Sequence, residues 1–359
     1  MSSTNGLSFL DATFRAIYPQ DAAFRQQAEE RLEQLTMPHW ALGDIMDLAV
    51  DLAGMTRSLA PPVARKKVVV MVGDHGVVAE GVSHYPAEVT VQMVYNFVRG
   101  GAGINALARC AGAEVCVVDV GAYDDFSDLV HSGAVIAKKI GRGTANIAQG
   151  PAMSRTHAVM AVEAGIEIAS SLAATTDVFA TGEMGIGNTT PSTAIAAAFT
   201  GRSVAELTGR GTGIDDMRLQ RKIEVIERAL AVNKPDAKDG LDVLAKVGGF
   251  EIGAIAGLIV GAAAQRKPVL IDGLIATAGA MIAVSLEPFV RDFLVCAHRS
   301  AEPGHGALLE NLRHKPLLDL NLRLGEGTGA ALAMPLLDAA VAVLTEVATF
   351  AEAGVSGAA

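Results

Sequence analysis

The chain has 359 residues, enough for one large domain or two smaller ones with a buried core. Half of the residues are hydrophobic, only 4% are aromatic and 38 are glycine, so small side chains must do much of the packing. The net charge of −10 and the lack of a Lys/Arg cluster argue against binding to nucleic acid, which requires a basic surface.

Helical periodicity alone is found at both ends of the chain. Residues 8–58 alternate apolar and charged side chains at helical spacing, and residues 329–353 are again purely helical. We therefore expect 1–60 and 329–359 to form a small helical domain, and 61–328 to form an α/β catalytic domain.

Short β-rich runs alternate with helical stretches between the two ends. The predicted strands are 68–72, 114–120, 134–140, 178–180, 269–271 and 293–297. The main predicted helices are 87–98, 154–172, 215–232 and 251–264. This alternation predicts an α/β fold, a parallel sheet flanked by helices. The Gly-rich segments fall at strand ends, where ligands bind in such sheets.

Membrane insertion and secretion are not predicted. The N-terminal sequence MSSTNGLSFLDATFR has no continuous apolar stretch, so it does not resemble a secretory signal. The longest apolar runs, 252–264 and 274–286, are shorter than the roughly 20 residues that span a bilayer, and they predict buried helices. Cys110, Cys116 and Cys296 include no CxxC pair, so we expect free thiols and a cytoplasmic protein.

A first glycine-containing turn, Gly73-Asp74-His75-Gly76, follows the first predicted strand. The glycines permit a tight turn with free backbone N–H groups, and Asp74 and His75 are candidates for substrate binding. On local evidence alone, a turn closed by an Asx-type hydrogen bond is the favoured interpretation of the same residues.

A second segment, 81–92, leads from a loop into a helix, with Pro86 suited to an early helical position. Ser83 and Gln92 carry hydroxyl and amide groups that can hydrogen-bond a flat heterocycle. The alternative is that Ser83 caps the helix and Gln92 is a surface residue.

A third segment, 182–191, follows the strand 178–180 and precedes a helix. Gly182 and Gly187 have P-loop spacing, but Asn188 stands where the phosphate-binding lysine is required, and GxGxxG is not matched. A loop at a helix N-terminus favours an anion, whereas Glu183 would repel an adjacent phosphate. A helix N-terminus next to Glu183 fits a ligand with ribose hydroxyls or a developing cation beside its phosphate. The alternative is a glycine-rich connection that binds no ligand.

A fourth glycine-rich turn, 209–216, precedes the helix that carries Arg221 and Lys222. An acidic cap follows the turn, as at other helix starts. Taken alone, Lys222 is most simply a solvated surface residue.

A fifth segment, 298–305, contains two histidines and a glutamate directly after the last predicted strand. The spacing of His298 and His305 matches no metal-binding helix signature, so no metal site is predicted. A loop that positions Ser300 for an anion is the favoured interpretation.

The sixth segment places Glu326 between Gly325 and Gly327, just before a long Ala/Leu helix. Glycines on both sides let a ligand approach the carboxylate closely. A glutamate at a helix start is also commonly a cap or a partner of the helix dipole.

Together these segments closely resemble the nicotinate-nucleotide–dimethylbenzimidazole phosphoribosyltransferase family, over residues 73–354. The matching runs, in order, are GDHGV, GVSHYP, GEMGIGNTTP, KVGGFEI, IDGLIATAGA, HRSAEPGH and LGEGTGAALAMPLLDAA. The resemblance implies a homodimer with a Rossmann-like parallel sheet and a small helical domain built from both ends of the chain.

The resemblance also implies roles for particular residues. Glu326 would be the general base and Glu183 a second active-site carboxylate. Ser83 and Gln92 would line the base pocket, and Lys222, Ser300 and the loop around Gly185 would hold the nucleotide phosphate. The full set of implied substrate-binding residues is Ser83, Tyr85, Gln92, Met184, Gly185, Gly187, Asn188, Lys222, Ser300 and Leu324. One departure is the sequence 38–43, which replaces the family's Pro-x-Gly-Ser-Leu-Gly stretch and puts base preference or affinity in question.

The implied substrates are nicotinate mononucleotide and 5,6-dimethylbenzimidazole, with no cofactor. The ring nitrogen of the nucleotide is already cationic, so nicotinate leaves without an acid. The attacking benzimidazole must lose a proton, for which one carboxylate base suffices. Attack opposite the leaving group inverts the anomeric carbon and yields the α-riboside. The alternatives are a related enzyme with a purine or phenol acceptor and a non-catalytic nucleotide-binding protein, against which Glu326 argues.

Overall fold

The computed structural model describes residues 8–211 and 213–356. The strands of the central sheet are β1 Lys66–Gly73, β2 Ala113–Gly121, β3 Ile136–Ala137, β4 Val178–Met184, β5 Val269–Ile271 and β6 Leu294–Cys296. They are all parallel and lie in the order β3-β2-β1-β4-β5-β6. This is the strand order of Rossmann sheets. The predicted α/β fold is therefore confirmed, and each of the six predicted strands lies in the sheet.

Helices flank this sheet and form both ends of the described chain. They are α1 Phe9–Phe14, α2 Ala22–Leu32, α3 Asp44–Thr56, α4 Glu88–Arg99, α5 Gly103–Cys110, α6 Ser127–His131, α7 Arg155–Leu172, α8 Thr189–Thr200, α9 Val204–Leu207, α10 Asp216–Asn233, α11 Gly240–Val247, α12 Phe250–Ala264, α13 Leu274–Leu286, α14 Pro303–Leu312, α15 Thr328–Glu346 and α16 Phe350–Ala353. Short 3₁₀ turns cover Gly76–Glu80, Ala173–Thr175 and Pro288–Phe293.

Small residues bring the covering helices very close to one another. A β-carbon added to Gly257 of α12 would lie 1.8 Å from the carbonyl oxygen of Val162 in α7. One added to Gly165 would lie 2.0 Å from the carbonyl oxygen of Ala254. Only glycine permits this crossing, so the high glycine content serves helix packing as well as the loops.

Two further strands were not expected from the sequence. β7 (His298–Ser300) and β8 (Leu318–Leu322) form a separate two-stranded parallel sheet beyond β6. The residues of β8 are mostly exposed, so the segment lacks the buried apolar run by which the other strands were identified.

The two ends of the chain pack on each other. The Arg31 guanidinium of α2 donates to the carbonyl oxygens of Leu344 (2.7 Å) and Val347 (3.3 Å). The Thr36 N–H donates to the Ala348 carbonyl at 3.0 Å. We propose on this basis that 1–60 and 329–359 form the small helical domain and 61–328 the catalytic domain; residues 1–7 and 357–359 lie outside the described part.

The C-terminal segment is two helices, whereas a purely helical stretch was predicted over 329–353. The chain is extended at Val347 (ψ 126°), and an isolated antiparallel bridge joins Leu35 to Thr349. Thr349 then caps α16 through reciprocal hydrogen bonds with Glu352. The break exists because Leu35 pairs with it, a contact between distant parts of the sequence.

Two helices are long and apolar enough, by length and composition, to cross a membrane: Arg155–Thr175 and Thr328–Glu346. Half of each apolar window is buried inside the protein, and the core helices of soluble proteins pass the same test. The shorter apolar helices α12 and α13 are almost completely buried, as predicted. These helices give no clear indication of a membrane span.

Candidate active site

A cavity of about 410 Å³ opens at the carboxyl ends of β4, β5 and β6, a volume suited to a small molecule. Residues that follow these strands form its walls, together with the loop before α15, the segment 85–93 and Gly211 between α9 and α10. They are Tyr85, Val89, Met93, Glu183, Met184, Gly185, Ile186, Asn188, Thr189, Gly211, Gly273, Leu274, Ile275, Ala276, His298, Ser300, Glu302, Arg323, Leu324, Gly325 and Glu326. The cavity therefore lies where ligands bind in open α/β sheets.

Glu183 projects from the end of β4 and is 7% exposed. Its carboxylate accepts hydrogen bonds from the Asn188 side-chain amide and, at 3.4 Å, from the backbone N–H of Glu326. Burial raises the pKa of Glu183 to about 8, and the negative charge of Asp272 acts in the same direction. The carboxyl group is therefore mostly protonated at neutral pH.

Glu326 occupies a loop of three consecutive residues in the left-handed backbone region. The φ angles are 83° at Gly325, 62° at Glu326 and 90° at Gly327. Glycine adopts this conformation freely, but at Glu326 it is strained, and such strain accumulates at functional sites. A β-carbon at Gly325 would also lie 2.2 Å from Oε1 of Glu183, so the Glu183 carboxyl group can lie against this loop only because the position is glycine.

The carboxylate of Glu326 lines the cavity and is itself 7% exposed. Burial raises the pKa of Glu326, and the negative charge of Asp272 adds to the rise. The backbone N–H of Ile104, which donates to Oε2 at 3.1 Å, opposes it. A carboxylate with a raised pKa beside a cavity is suited to accept a proton from a bound ligand.

Asp272 holds the Glu326 loop from behind. Its carboxylate accepts the N–H groups of Gly327 (3.2 Å), Gly329 (2.8 Å) and Ala330 (3.1 Å) at the start of α15. His298 Nε2 lies 3.4 Å from the same carboxylate, which raises the pKa of His298 against the opposing effect of burial. Asp272 thus caps α15 and fixes the loop that carries Glu326.

The β4–α8 loop passes very close to the end of β1. A β-carbon at Gly185 would lie 2.1 Å from the Gly73 carbonyl oxygen. The Ile186 N–H donates to Thr90 Oγ1 at 3.1 Å. Met184, Gly185 and Asn188 line the cavity, whereas Gly187 (φ 89°) shapes the turn behind it.

Lys222 lies in α10 and is buried, contrary to the solvated-surface alternative. Its ammonium donates to Thr189 Oγ1 (2.8 Å) and to the Gly209 carbonyl (3.2 Å). Burial lowers its pKa to about 8, which Glu302 opposes. Thr189 lines the cavity directly, so Lys222 stands one side chain behind the wall.

Ser300 lines the same part of the cavity, and its hydroxyl accepts the N–H of Glu302 at 3.3 Å. Its own N–H donates to Nδ1 of His305 at 2.8 Å, so the other ring nitrogen carries the proton and donates to Thr277. Burial lowers the pKa of His305 to about 3, which keeps the ring neutral. Across residues 8–211 and 213–356 no group of three or more His, Cys, Asp or Glu side chains is placed to hold a metal ion.

Part of the cavity lining is apolar. Tyr85, which precedes α4, and Val89 and Met93 in α4 contribute to it, together with Met184 and Leu324. Ser83 and Gln92 are not among its lining residues. The Ser83 hydroxyl accepts the N–H of Tyr85 at 3.2 Å and does not cap α4, and Gln92 is exposed one position before Met93.

The turn after β1 does not reach the cavity. Asp74 and His75 are each 1% exposed, and His75 Nε2 lies 2.9 Å from Glu251 Oε1. Asp74 Oδ2 accepts the Tyr123 N–H at 2.8 Å. The motif is thus a buried structural turn, but Asp74 bonds a residue 49 positions away and does not close the expected Asx-type turn.

The segment 38–43, which departs from the family pattern, does not line the cavity of its own chain either. Trp40 has a positive φ of 50°, and its indole N–H donates to Asp47 Oδ1 at 2.8 Å. The loop precedes α3 in the helical end region, and none of its residues lines the cavity.

Several cavity residues were missed by sequence reasoning. Ile275 lies in the run IDGLIATAGA, which was recognised without assigning it a role. Thr189 belongs to the third motif and Glu302 to the fifth, but neither was singled out. Arg323 stands one residue before the sixth motif, and only its position beside Leu324 in the sequence signals it.

A six-stranded parallel sheet of Rossmann order, with ionisable side chains gathered at its carboxyl edge, places the chain among α/β enzymes that bind nucleotides. The family model described as phosphoribosyltransferase matches residues 17–355, and the chain belongs to that family.

Full-length relatives carry a more specific name. The nicotinate-nucleotide–dimethylbenzimidazole phosphoribosyltransferase of Desulfotalea psychrophila is 60% identical over 351 residues, 98% of this chain and 99% of that protein. The protein of the same name from Syntrophotalea carbinolica is 60% identical over 350 residues, with the same coverage. The crystal structure of such an enzyme from Thermus thermophilus superposes with a TM-score of 0.89 at 46% identity, covering 94% of this chain and all of that one.

Proposed function

We propose that this chain transfers the phosphoribosyl group of nicotinate mononucleotide to 5,6-dimethylbenzimidazole, releasing nicotinate and forming the α-riboside 5′-phosphate. The family and the names of its full-length relatives support the reaction. The observation that carries the mechanism is Glu326, a buried carboxylate with a raised pKa that lines the cavity beside Glu183 and the glycine loop.

The reaction needs one proton acceptor and a positioned ring. A nitrogen of the base attacks the anomeric carbon, and the bond from that carbon to the nicotinate nitrogen breaks with its electron pair going to nicotinate. The second nitrogen of the base gives its proton to Glu326, which later passes it to solvent. Attack from the face opposite nicotinate inverts the anomeric carbon.

Glu183 supports Glu326 in this scheme. Because burial raises its pKa to about 8, Glu183 is mostly protonated at pH 7 and adds little negative charge near Glu326. It accepts the Glu326 N–H and the Asn188 amide, and so links the β4–α8 loop to the loop of the base. Both glutamates therefore belong to the catalytic machinery, but only Glu326 takes the proton.

The two halves of the cavity suit the two substrates. The apolar side chains of Tyr85, Met184 and Leu324 fit the flat base. Ser83 and Gln92 do not line the cavity in this structure, so they carry no part of this assignment. Ser300, the Gly185–Gly187 turn and Lys222 behind Thr189 form the polar end for the nucleotide. We propose that the protein works as a cytoplasmic homodimer.

Incubation with nicotinate mononucleotide and a panel of benzimidazoles, purines and phenols tests the proposed function. The products are identified by mass and the anomer by proton coupling in NMR. We expect a riboside phosphate of 5,6-dimethylbenzimidazole in the α configuration. Preference for a purine or phenol would correct the acceptor, and a β-riboside would exclude single inversion.

A further inference from the structure

The cavity contains a guanidinium that the reaction described above does not use. Arg323 lines the cavity, and its side chain is exposed there. The ammonium of Lys222, by contrast, lies behind Thr189 and is not part of the cavity wall. The cation that a ligand meets first is therefore Arg323.

The charges around these two cations differ. Lys222 faces Glu302, whose negative charge offsets its positive charge. Arg323 has no carboxylate within 4.0 Å in the described part of the chain, and the one hydrogen bond observed there runs from Nη1 to the Gly211 carbonyl at 3.2 Å. A guanidinium has five N–H donors, so Arg323 retains both its net charge and donors for an anion.

Gly211 locates Arg323 at the polar end of the cavity. A β-carbon on Gly211 would lie 3.1 Å from Thr189 Oγ1 and 3.5 Å from Lys222 Nζ. The Gly211 N–H donates to Glu302 Oε1 at 2.9 Å. Arg323 thus shares one end of the cavity with Thr189 and Lys222.

The same residue is tied in sequence to the reacting end. Arg323 and Glu326 are three positions apart, so their α-carbons lie within roughly 10 Å even in an extended chain. A mononucleotide bound along this wall can place its phosphate beside Arg323 and its anomeric carbon near Glu326.

We propose that Arg323 directly binds the 5′-phosphate of the nucleotide substrate, while Lys222 acts through Thr189; this rests on the proposed function. The planar fork of a guanidinium can donate two parallel hydrogen bonds to phosphate oxygens. The bond from Arg323 to the Gly211 carbonyl holds the fork at the cavity wall.

The test measures dissociation constants of three ligands for the full chain by competition or calorimetry. The ligands are nicotinate mononucleotide, nicotinate riboside, which lacks the phosphate, and nicotinamide mononucleotide, which lacks the ring carboxylate. Arg323→Gln is compared with wild type and with Arg299→Gln, a matched control on β7 whose side chain pairs with Asp319 at 3.5 Å and does not line the cavity.

Arg323→Gln should weaken the binding of both mononucleotides roughly 10- to 100-fold, as expected for lost charge-assisted hydrogen bonds. It should change the affinity for the riboside less than about twofold. Arg323→Lys keeps the charge but lacks the planar guanidinium. Its affinity for the two mononucleotides should lie between those of wild type and Arg323→Gln. Arg299→Gln should leave all three affinities unchanged.

Equal weakening of the riboside would overturn the proposal, because Arg323 would then act on the loop and not on phosphate. Weaker binding of nicotinate mononucleotide and nicotinate riboside, with unchanged binding of nicotinamide mononucleotide, would also overturn it. Arg323 would then bind the carboxylate of the nicotinate ring. Arg323→Gln could weaken binding only of the ligands that carry a phosphate while the wild-type protein fails to transfer ribose to the benzimidazole. That result would refute the proposed function and leave Arg323 as the phosphate ligand. A wild-type protein that binds none of the three ligands would refute both.

Discussion

The backbone N–H of Ile104 donates to Oε2 of Glu326 at 3.1 Å and joins the start of α5 to the loop that precedes α15. This bond favours the charged carboxylate, whereas burial favours the neutral one. The balance leaves the pKa of Glu326 above its ordinary value, and a base of this kind requires its deprotonated form to work.

The turnover rate at saturating substrates should therefore fall as pH decreases through the raised pKa of Glu326. The acid limb of a kcat profile should lie above pH 4.5, the ordinary value for glutamate. In Glu326→Gln the residual rate should lack this limb, whereas Glu310→Gln, an exposed control paired with Arg202, should keep it. An unchanged limb in Glu326→Gln would assign the titration to another group.

Lys222→Met and Ser300→Ala should weaken binding of nicotinate mononucleotide with little change in kcat. Ser300→Ala removes a hydrogen bond to the phosphate, and hydrogen bonds to charged groups contribute about 1.5–3 kcal/mol. Lys222→Met removes the ammonium group that acts through Thr189. Since burial lowers the Lys222 pKa to about 8, wild-type affinity should also fall above that pH. Binding of nicotinate riboside, which lacks the phosphate, provides the control. If the variants lose as much affinity for the riboside as for the mononucleotide, neither residue acts on the phosphate.

Glu183→Gln should alter the pH dependence of stability. Between pH 4.5 and about 8 the folded chain binds more protons at Glu183 than the unfolded chain does, so the free energy of unfolding of wild type falls as pH rises through this window. The contribution is several kcal/mol, at about 1.4 kcal/mol per pKa unit. The variant lacks this titration, so its stability relative to wild type should rise between pH 5 and 8.5 in urea unfolding. A difference that stays constant with pH would mean that Glu183 is not held protonated.

Sedimentation velocity at micromolar concentration should give the mass of a dimer of this 37.0 kDa chain. The expectation comes from family resemblance, and activity measured over a dilution series would link the assembly to function. A fully active monomer would contradict it.

The central sheet could be predicted because each of its strands is a short apolar run between turns, a local property of the sequence. The helix α13 is likewise marked by continuous apolar residues, and its bounds match the predicted run 274–286. β7 and β8 were missed because β8 is mostly exposed, and the break before α16 because it depends on Leu35.

The site was predicted less completely, for a related reason. Glycine-flanked carboxylates stand out in a sequence, so Glu183 and Glu326 were found. Asp272 acts on Gly327, 55 positions away, and Arg323 on Gly211, 112 positions away. No local pattern encodes such pairings, and only the folded chain reveals them.

The most direct test of the mechanism compares Glu326→Gln with Glu183→Gln in single-turnover transfer from nicotinate mononucleotide to 5,6-dimethylbenzimidazole. Loss of a general base typically costs about 10²–10⁴-fold in rate. Glu326→Gln should slow the chemical step by that factor with nearly unchanged nucleotide affinity, and Glu183→Gln should retain more activity because glutamine preserves its neutral, hydrogen-bonding role. Near wild-type turnover in Glu326→Gln with an inactive Glu183→Gln would contradict the account and exchange the roles of the two residues.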